Sequence, residues 1–168
     1  EVLGLSKGLA GLSAGAVGIA YAVFALPSGY VAHKLGRKRT IRIALVVLTL
    51  LASALVVHGF TGFGLSRMAR AYVFWLVLLV FGAFWVTVVT NSFPMPWQMA
   101  SWGTMGVYTG LYYLFSQTAA IASPPVTGGI IDLFGYPGIF AWCALCMAAA
   151  FVVMGFVKKG EPAAAATK

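Results

Sequence analysis

Long apolar runs alternate with short polar segments along the whole chain. A helix needs about 20 apolar residues to cross the hydrocarbon core of a bilayer, and five runs are long enough. They predict helices over approximately 8–31, 40–60, 71–92, 105–131 and 138–157. Because the connecting segments are short, we expect sequential helices to be antiparallel neighbours. The pattern therefore predicts an all-α integral membrane protein with five transmembrane helices, followed by a tail over 158–168.

The composition agrees with lipid surroundings. The 168 residues are 61% hydrophobic and only 8% charged, whereas soluble domains carry about 25% charged residues. A globule this small has too much surface to leave so few ionisable groups facing water. The net charge of +8 could indicate nucleic acid, but the cations are concentrated in one segment and at the C-terminus rather than spread over a face. We expect a lipid bilayer as partner and no nucleic acid.

The densest run of charge is "GYVAHKLGRKRTIR", residues 29–42, which contains five cations and no acid. If this segment faces the cytoplasm, then the 93–104 segment and the C-terminal tail face it too. That side then carries eight of the eleven Lys and Arg residues, as the positive-inside rule requires. The charges predict an outside N-terminus and a cytoplasmic C-terminus in a plasma membrane, which in a bacterium is the inner membrane.

Polar side chains are unevenly shared among the predicted helices. The second and fifth helices are almost entirely apolar, whereas Thr87, Thr90 and Asn91 share one face of the third. Tyr113 and Gln117 lie on one face of the fourth. Because an amide in hydrocarbon is costly, we expect Asn91 and Gln117 to point into the bundle or into a wet cavity. The alternative is that these amides only hydrogen-bond neighbouring helices.

The aromatic residues near these faces suit the recognition of a sugar. Trp85 and Tyr113 can offer a flat apolar face with a polar tip, which stacks on sugar rings and hydrogen-bonds hydroxyl groups. Bundle packing is the alternative role for each aromatic residue. The candidate substrate-binding residues are therefore Asn91, Gln117, Tyr113, Trp85, Thr87 and Thr90.

Catalysis and metal binding find little support. Cys143 and Cys146 form a C-x-x-C within an apolar run, but His33 and His58 lie in other segments. A metal site needs four ligands, or three ligands and a water, and intramembrane chemistry generally needs acids, histidines or a metal in the core. We therefore expect no metal, no cofactor and no enzymatic activity.

The cationic segment resembles a known cytoplasmic loop signature. "GYVAHKLGRKR" is similar to the G-x-L-A-D-R-x-G-R-K/R loop of the major facilitator superfamily. The corresponding loop residues are Gly29, His33, Gly36, Arg37, Lys38 and Arg39. His33 stands where the family has an acid, a departure typical of the copy in the second half of these carriers. The resemblance implies helices 8–12 of a twelve-helix fold, with residues 1–157 as part of the C-terminal six-helix bundle.

Two further stretches resemble a subgroup of that family. "NSFPMPWQMAS" and "GVYTGLYYLFSQTAAIASPP" are similar to sugar carriers of the glycoside–pentoside–hexuronide and sucrose-transporter type. The resemblance implies a saccharide as the small-molecule solute and the N-terminal half of the same carrier as the missing partner. The resemblance to the superfamily implies that the first, third and fourth helices border the central cavity and that the second and fifth are peripheral.

These observations lead to the hypothesis of a fragment of a secondary active transporter. It moves a sugar or glycoside by alternating access, in which two bundles rock about a site at the midplane of the membrane. Symport with a proton or another cation is left open, because no acid lies near the middle of a predicted span and a titrating group would come from the missing half. The alternative is a non-catalytic structural or assembly subunit of a membrane complex.

Overall fold

The computed structural model describes residues 7–61 and 66–161. Over these ranges the chain forms five long helices and one short helix, with no β-strand. They are α1 (Lys7–Leu35), α2 (Arg37–Thr61), α3 (Arg67–Ser92), α4 (Pro94–Met99), α5 (Met105–Phe134) and α6 (Pro137–Phe156). The predicted all-α fold with five long helices is confirmed.

Three stretches are both long enough and apolar enough to cross a membrane. They are Arg37–Thr61, Met68–Met99 and Pro137–Phe156, within the part of the chain that the structure describes. The helices α1 and α5 contain 29 and 30 residues, which exceeds the length that a span requires. Membrane crossing by α1 and α5 stays a prediction from the sequence.

The junction between α1 and α2 is far shorter than the connection over 32–39 that the predicted helices leave between them. Only Gly36 separates the two helices, and the cations on either side of it are helical. Gly36 adopts a φ of 88°, which glycine reaches without the steric cost that a β-carbon imposes. Its N–H donates to the carbonyl of Ala32 at 2.9 Å, and its own carbonyl accepts from Thr40 Oγ1 at 2.8 Å. The prediction of a loop was wrong here, because lysine and arginine are good helix formers.

The segment over 93–104 also contains structure that the hydropathy pattern missed. Pro94 begins α4, a position where its missing N–H and its fixed φ favour a helix start. Trp97 Nε1 donates to Thr109 Oγ1 at 2.9 Å, which ties α4 to the first turns of α5. The short helix therefore links the end of α3 to α5.

Helix pairing does not follow the order of the chain. The most extensive contacts join α1 to α3 and α2 to α6, and α2 also packs on α3. As expected for sequential helices, α2 and α3 are neighbours. The sequential helices α1 and α2, however, share only minor contact. Short connections limit where the next helix begins, but the side chains decide which helices pack together.

The pair formed by α2 and α6 is antiparallel. Lys38, in the first turn of α2, bonds the end of α6, while Gly59 in the last turn of α2 lies against Pro137 at the start of α6. Ile41, Leu45 and Met95 form a buried cluster against Met147, Phe151 and other side chains. This cluster lies at the end of the bundle where α2 begins, and buried side chains continue along α2 as far as Leu55 and His58.

The helix α5 lies at the periphery of this arrangement. Its main contacts are with α4 and α6, and none of its described side chains is buried. Most of its surface is therefore available to lipid, water or a partner.

Candidate functional site

A polar track runs along the last turns of α3. Asn91 is only 2% exposed, and its Nδ2 donates to the backbone carbonyl of Thr87 at 2.8 Å. One turn earlier, Thr87 Oγ1 donates to the carbonyl of Ala83 at 2.9 Å. The helix thus satisfies these donors itself, which lowers the cost of burying them. Each side-chain oxygen keeps the capacity to accept a hydrogen bond, although the oxygen of the buried Asn91 is not open to a ligand in this arrangement.

Two other predicted residues of α3 lie around this track. Thr90 is half-buried, whereas Trp85 is 37% exposed. Trp85 can therefore present its ring to the outside of the chain. A ring in that position can stack on a ligand or on a neighbouring helix.

Thr87 also lines a cavity of about 370 Å³ between α1, α2 and α3. The lining residues are Phe24, Pro27, Ser28, Val31, Leu35, Thr40, Ile43, Ala44, Ala83, Phe84 and Thr87. Its three hydroxyl groups, from Ser28, Thr40 and Thr87, each donate to a carbonyl of their own helix. The cavity is thus mainly apolar with three hydroxyl acceptors. Of the six predicted substrate-binding residues, only Thr87 lines it.

The polar face of α5 is open. Tyr113 is 48% exposed, and Gln117 is also exposed. Ser116 lies between them along the chain and donates to the carbonyl of Tyr113 at 3.2 Å. These groups could hydrogen-bond a ligand on the outside of the chain.

The structure does not bring Asn91 and Gln117 into one enclosed site. Among the described residues, α3 and α5 share no extensive contact. An aromatic cluster at α4 links them, with ring centroids 5.1 Å apart for Phe93 and Tyr112 and 5.7 Å apart for Tyr112 and Tyr113. Such edge-to-face pairs are favourable contacts. The predicted site is therefore two separate polar faces joined by aromatic packing.

The cationic segment builds a reciprocal helix cap that sequence reasoning missed. The carboxylate of Glu161 accepts from the backbone N–H of Arg37 at 3.0 Å and of Lys38 at 2.6 Å. In return, Lys38 Nζ donates to the carbonyls of Gly155 at 2.9 Å and Val157 at 2.5 Å. Helix starts leave N–H groups unpaired and helix ends leave carbonyls unpaired. One acid therefore caps α2 while one lysine caps α6.

A weak signal for this cap is present in the sequence. The first turn of α2 contains no acidic residue, although a negative charge there is favourable. Glu161 lies in the segment predicted to be a tail, close after the last apolar run. A cationic helix start without an acid of its own can be capped by an acid from another part of the chain. Because Glu161 lies 124 residues after Arg37, the sequence does not indicate that these two residues meet.

The remaining residues of the loop signature have different surroundings. Gly29 lies within α1, and His33 and Arg39 are exposed. Lys34 Nζ lies 4.6 Å from the ring centroid of Tyr30, a cation–π contact. His33, at the position of the family's acid, thus lies on the surface at the end of α1.

Potential metal ligands are not clustered in the described part of the chain. Over residues 7–61 and 66–161, no group of three or more His, Cys, Asp or Glu side chains is placed to hold a metal ion. Cys143 is half-buried, Cys146 is exposed, and both are free thiols.

Comparison with known proteins gives one match. The family model described as Major Facilitator Superfamily matches residues 1–168, the whole chain. No curated protein and no solved structure matches it. The family match agrees with the apolar helices and with the turn at Gly36, whose flanking residues resemble the family's loop. The chain belongs to the major facilitator superfamily of membrane transporters and is a multi-pass membrane protein.

Proposed function

We propose that the chain forms helices 8–12 of a secondary active transporter that moves a sugar or glycoside by alternating access. The six-helix half to which it belongs rocks against an N-terminal half, and the solute binds between them near the midplane. In this arrangement the N-terminus is outside and the C-terminus is cytoplasmic.

One observation carries this proposal, the contrast between two exposed helices. The exposed side chains of α6 include Leu145, Val152 and Val153, which suit lipid. Those of α5 include apolar residues such as Leu114, Phe115 and Ile121, but one face of this helix also carries the polar groups of Tyr113 and Gln117. Because an amide in hydrocarbon is costly, the face of α5 needs water or a polar partner. A solute passage between two halves supplies both.

The candidate residues have different roles in this proposal. Gln117 recognises a solute hydroxyl with both its N–H and C=O groups, because its side chain is exposed. Asn91 offers mainly its oxygen, because its Nδ2 already donates within α3. Tyr113 and Trp85 provide stacking surfaces, and the hydroxyl of Thr87 accepts from a solute that enters the cavity of α1–α3. Thr90, which is half-buried on α3, lines the path along which the solute approaches this cavity.

If transport is coupled to a proton or another cation, the coupling group belongs to the other half. Asp132 lies near the end of α5, and the carboxylate of Glu161 is engaged with the start of α2. Neither lies near the middle of a helix, where a proton relay would be needed.

Uptake of labelled sugars by cells that produce the complete carrier tests the site. We expect Gln117→Ala to reduce uptake about tenfold at low solute concentration, since a lost hydrogen bond costs about 1.5 kcal/mol. Asn91→Ala should reduce it less. Gln98→Ala is the matched control, because Gln98 is an exposed glutamine of α4, outside the proposed passage.

The protein level in the membrane is measured by immunoblot for each variant. Unchanged uptake in both Gln117→Ala and Asn91→Ala, at an unchanged protein level, would refute the proposed site. An equal loss in Gln98→Ala would show that the effect is not specific to the face of α5.

A further inference from the structure

A second cavity lies beside the reciprocal cap, at the start of α2. It has a volume of about 530 Å³. Its lining combines three cations, one acid and three apolar side chains: Lys38, Arg39, Arg42, Ile43, Val46, Phe151 and Glu161. A cavity with a basic rim and an apolar wall differs in chemistry from the open face of α5.

The acid and the lysine of this cavity are already engaged. Both oxygens of Glu161 accept backbone N–H groups of α2, and the ammonium of Lys38 donates to carbonyls of α6. The guanidinium groups of Arg39 and Arg42 remain. The negative charge of Glu161 offsets one of the three cations that line the cavity, so two positive charges remain in excess.

Arg42 is held in place and lacks an acceptor. Its guanidinium carbon lies 4.5 Å from the ring centroid of Phe151, and its Nε is buried without a hydrogen-bond partner among the described residues. A buried donor without an acceptor is unfavourable. Arg42 also lines the cavity, so an anionic oxygen there could accept from the terminal nitrogens of its guanidinium, a group well suited to phosphate.

The length of α2 and the position of its cations indicate that the cavity lies at the boundary between headgroups and acyl chains. The 25 residues of α2 rise about 37 Å at 1.5 Å per residue, longer than a hydrocarbon core of about 30 Å. We assign this excess of about 7 Å to the start of α2, because cations favour the headgroup region, and the first turn and a half, with Arg39 and Arg42, then extends to the headgroups. Ile43 and Val46, 47% and 41% exposed, lie where hydrocarbon begins.

We propose that this cavity binds one anionic glycerophospholipid of the adjacent leaflet. Arg39 and Arg42 hold the headgroup phosphate, while the glycerol and the upper acyl carbons pack along Ile43, Val46 and Phe151. Basic pockets between helices at a membrane surface bind anionic lipid headgroups in this way. The apolar wall favours a lipid over soluble phosphate. The inference depends on membrane location and not on the solute that is carried.

Native mass spectrometry of the whole chain, released from nanodiscs with equal phosphatidylglycerol and phosphatidylcholine, tests the proposal. We expect the wild type to retain phosphatidylglycerol preferentially. Arg39→Gln should reduce this preference about fivefold and the double variant Arg39→Gln, Arg42→Gln about twenty-five-fold, given about 1 kcal/mol per cation near the surface. Arg39 is exposed, so its single variant does not disturb packing.

The matched control is the double variant Lys158→Gln, Lys159→Gln. It removes the same charge from exposed side chains at the same end of the bundle but outside the cavity, and we expect less than a twofold change. Equal losses in both double variants would mean diffuse attraction and would overturn the proposal. Displacement of the lipid by excess sn-glycerol 3-phosphate would also overturn it, since soluble phosphate would then be the ligand.

Discussion

Glu161 stabilises the junction of two helices from outside both of them. Its carboxylate satisfies two of the N–H groups that every helix start leaves unpaired, and its charge is favourable at the positive end of the α2 dipole. A β-carbon added to Gly36 would lie 3.4 Å from Glu161 Oε2. The tight turn at Gly36 thus leaves room for the acid that caps the next helix.

Removal of the Glu161 carboxylate should destabilise the fold. For Glu161→Ala we expect a loss of about 1 kcal/mol in the free energy of unfolding, the usual cost of a lost helix cap. Thermal unfolding in detergent, followed by circular dichroism, measures it. Lys159→Ala is the control, because its side chain is exposed near the same helix end. A melting temperature that is equal in the two variants would contradict the capping role.

At the scale of single residues, the sequence predicted local geometry better than distant partners. A change of direction near Gly36 follows from the break between the first two apolar runs, and glycine permits the positive φ found there, although the connection is shorter than predicted. The role of Glu161 could not, because its partner Arg37 lies 124 residues away along the chain. Such a contact depends on how α2 and α6 pack, which no local pattern encodes.

At the scale of helices, apolar runs predicted the elements, but polar residues extended their ends. The predicted second helix begins at 40, whereas α2 begins at Arg37, because Glu161 caps a cationic first turn. The short helix α4 was missed since its six residues, which include two prolines, form no long apolar run. Pairing of α1 with α3 was also missed, because hydropathy does not specify partners.

Gly59 lies where the last turn of α2 closely approaches the start of α6, so we expect its substitution to destabilise the fold. A β-carbon on Gly59 would lie 3.0 Å from Cγ of Pro137, whereas one on Gly18 would meet nothing within 4 Å. Overpacking costs about 1–3 kcal/mol. We therefore expect Gly59→Val to lower the unfolding free energy by about 2 kcal/mol more than Gly18→Val. Denaturant titration in detergent measures both, and equal losses would contradict this close approach.

At the scale of the whole molecule, the bundle explains why the candidate site could be predicted only in part. The polar faces of α3 and α5 follow from the spacing of Asn91, Tyr113 and Gln117 along their helices. Their assembly into one site does not follow, because α5 contacts mainly α4 and α6. If another half of the carrier packs against α5, part of the site's geometry is contributed by residues outside this chain.

Thiol labelling can distinguish water from lipid at two exposed positions. Gln117 on α5 and Leu145 on α6 are both exposed, the latter to 60%, so the surrounding solvent decides their reactivity rather than burial. In the two-half carrier proposed above, with Cys143 and Cys146 replaced by alanine, we expect Gln117→Cys to react with a charged maleimide at least tenfold faster than Leu145→Cys. The nucleophile is the thiolate, which adds to the double bond of the maleimide and forms in water rather than in hydrocarbon. If Leu145→Cys reacts and Gln117→Cys does not, α5 faces lipid and the proposed passage is wrong.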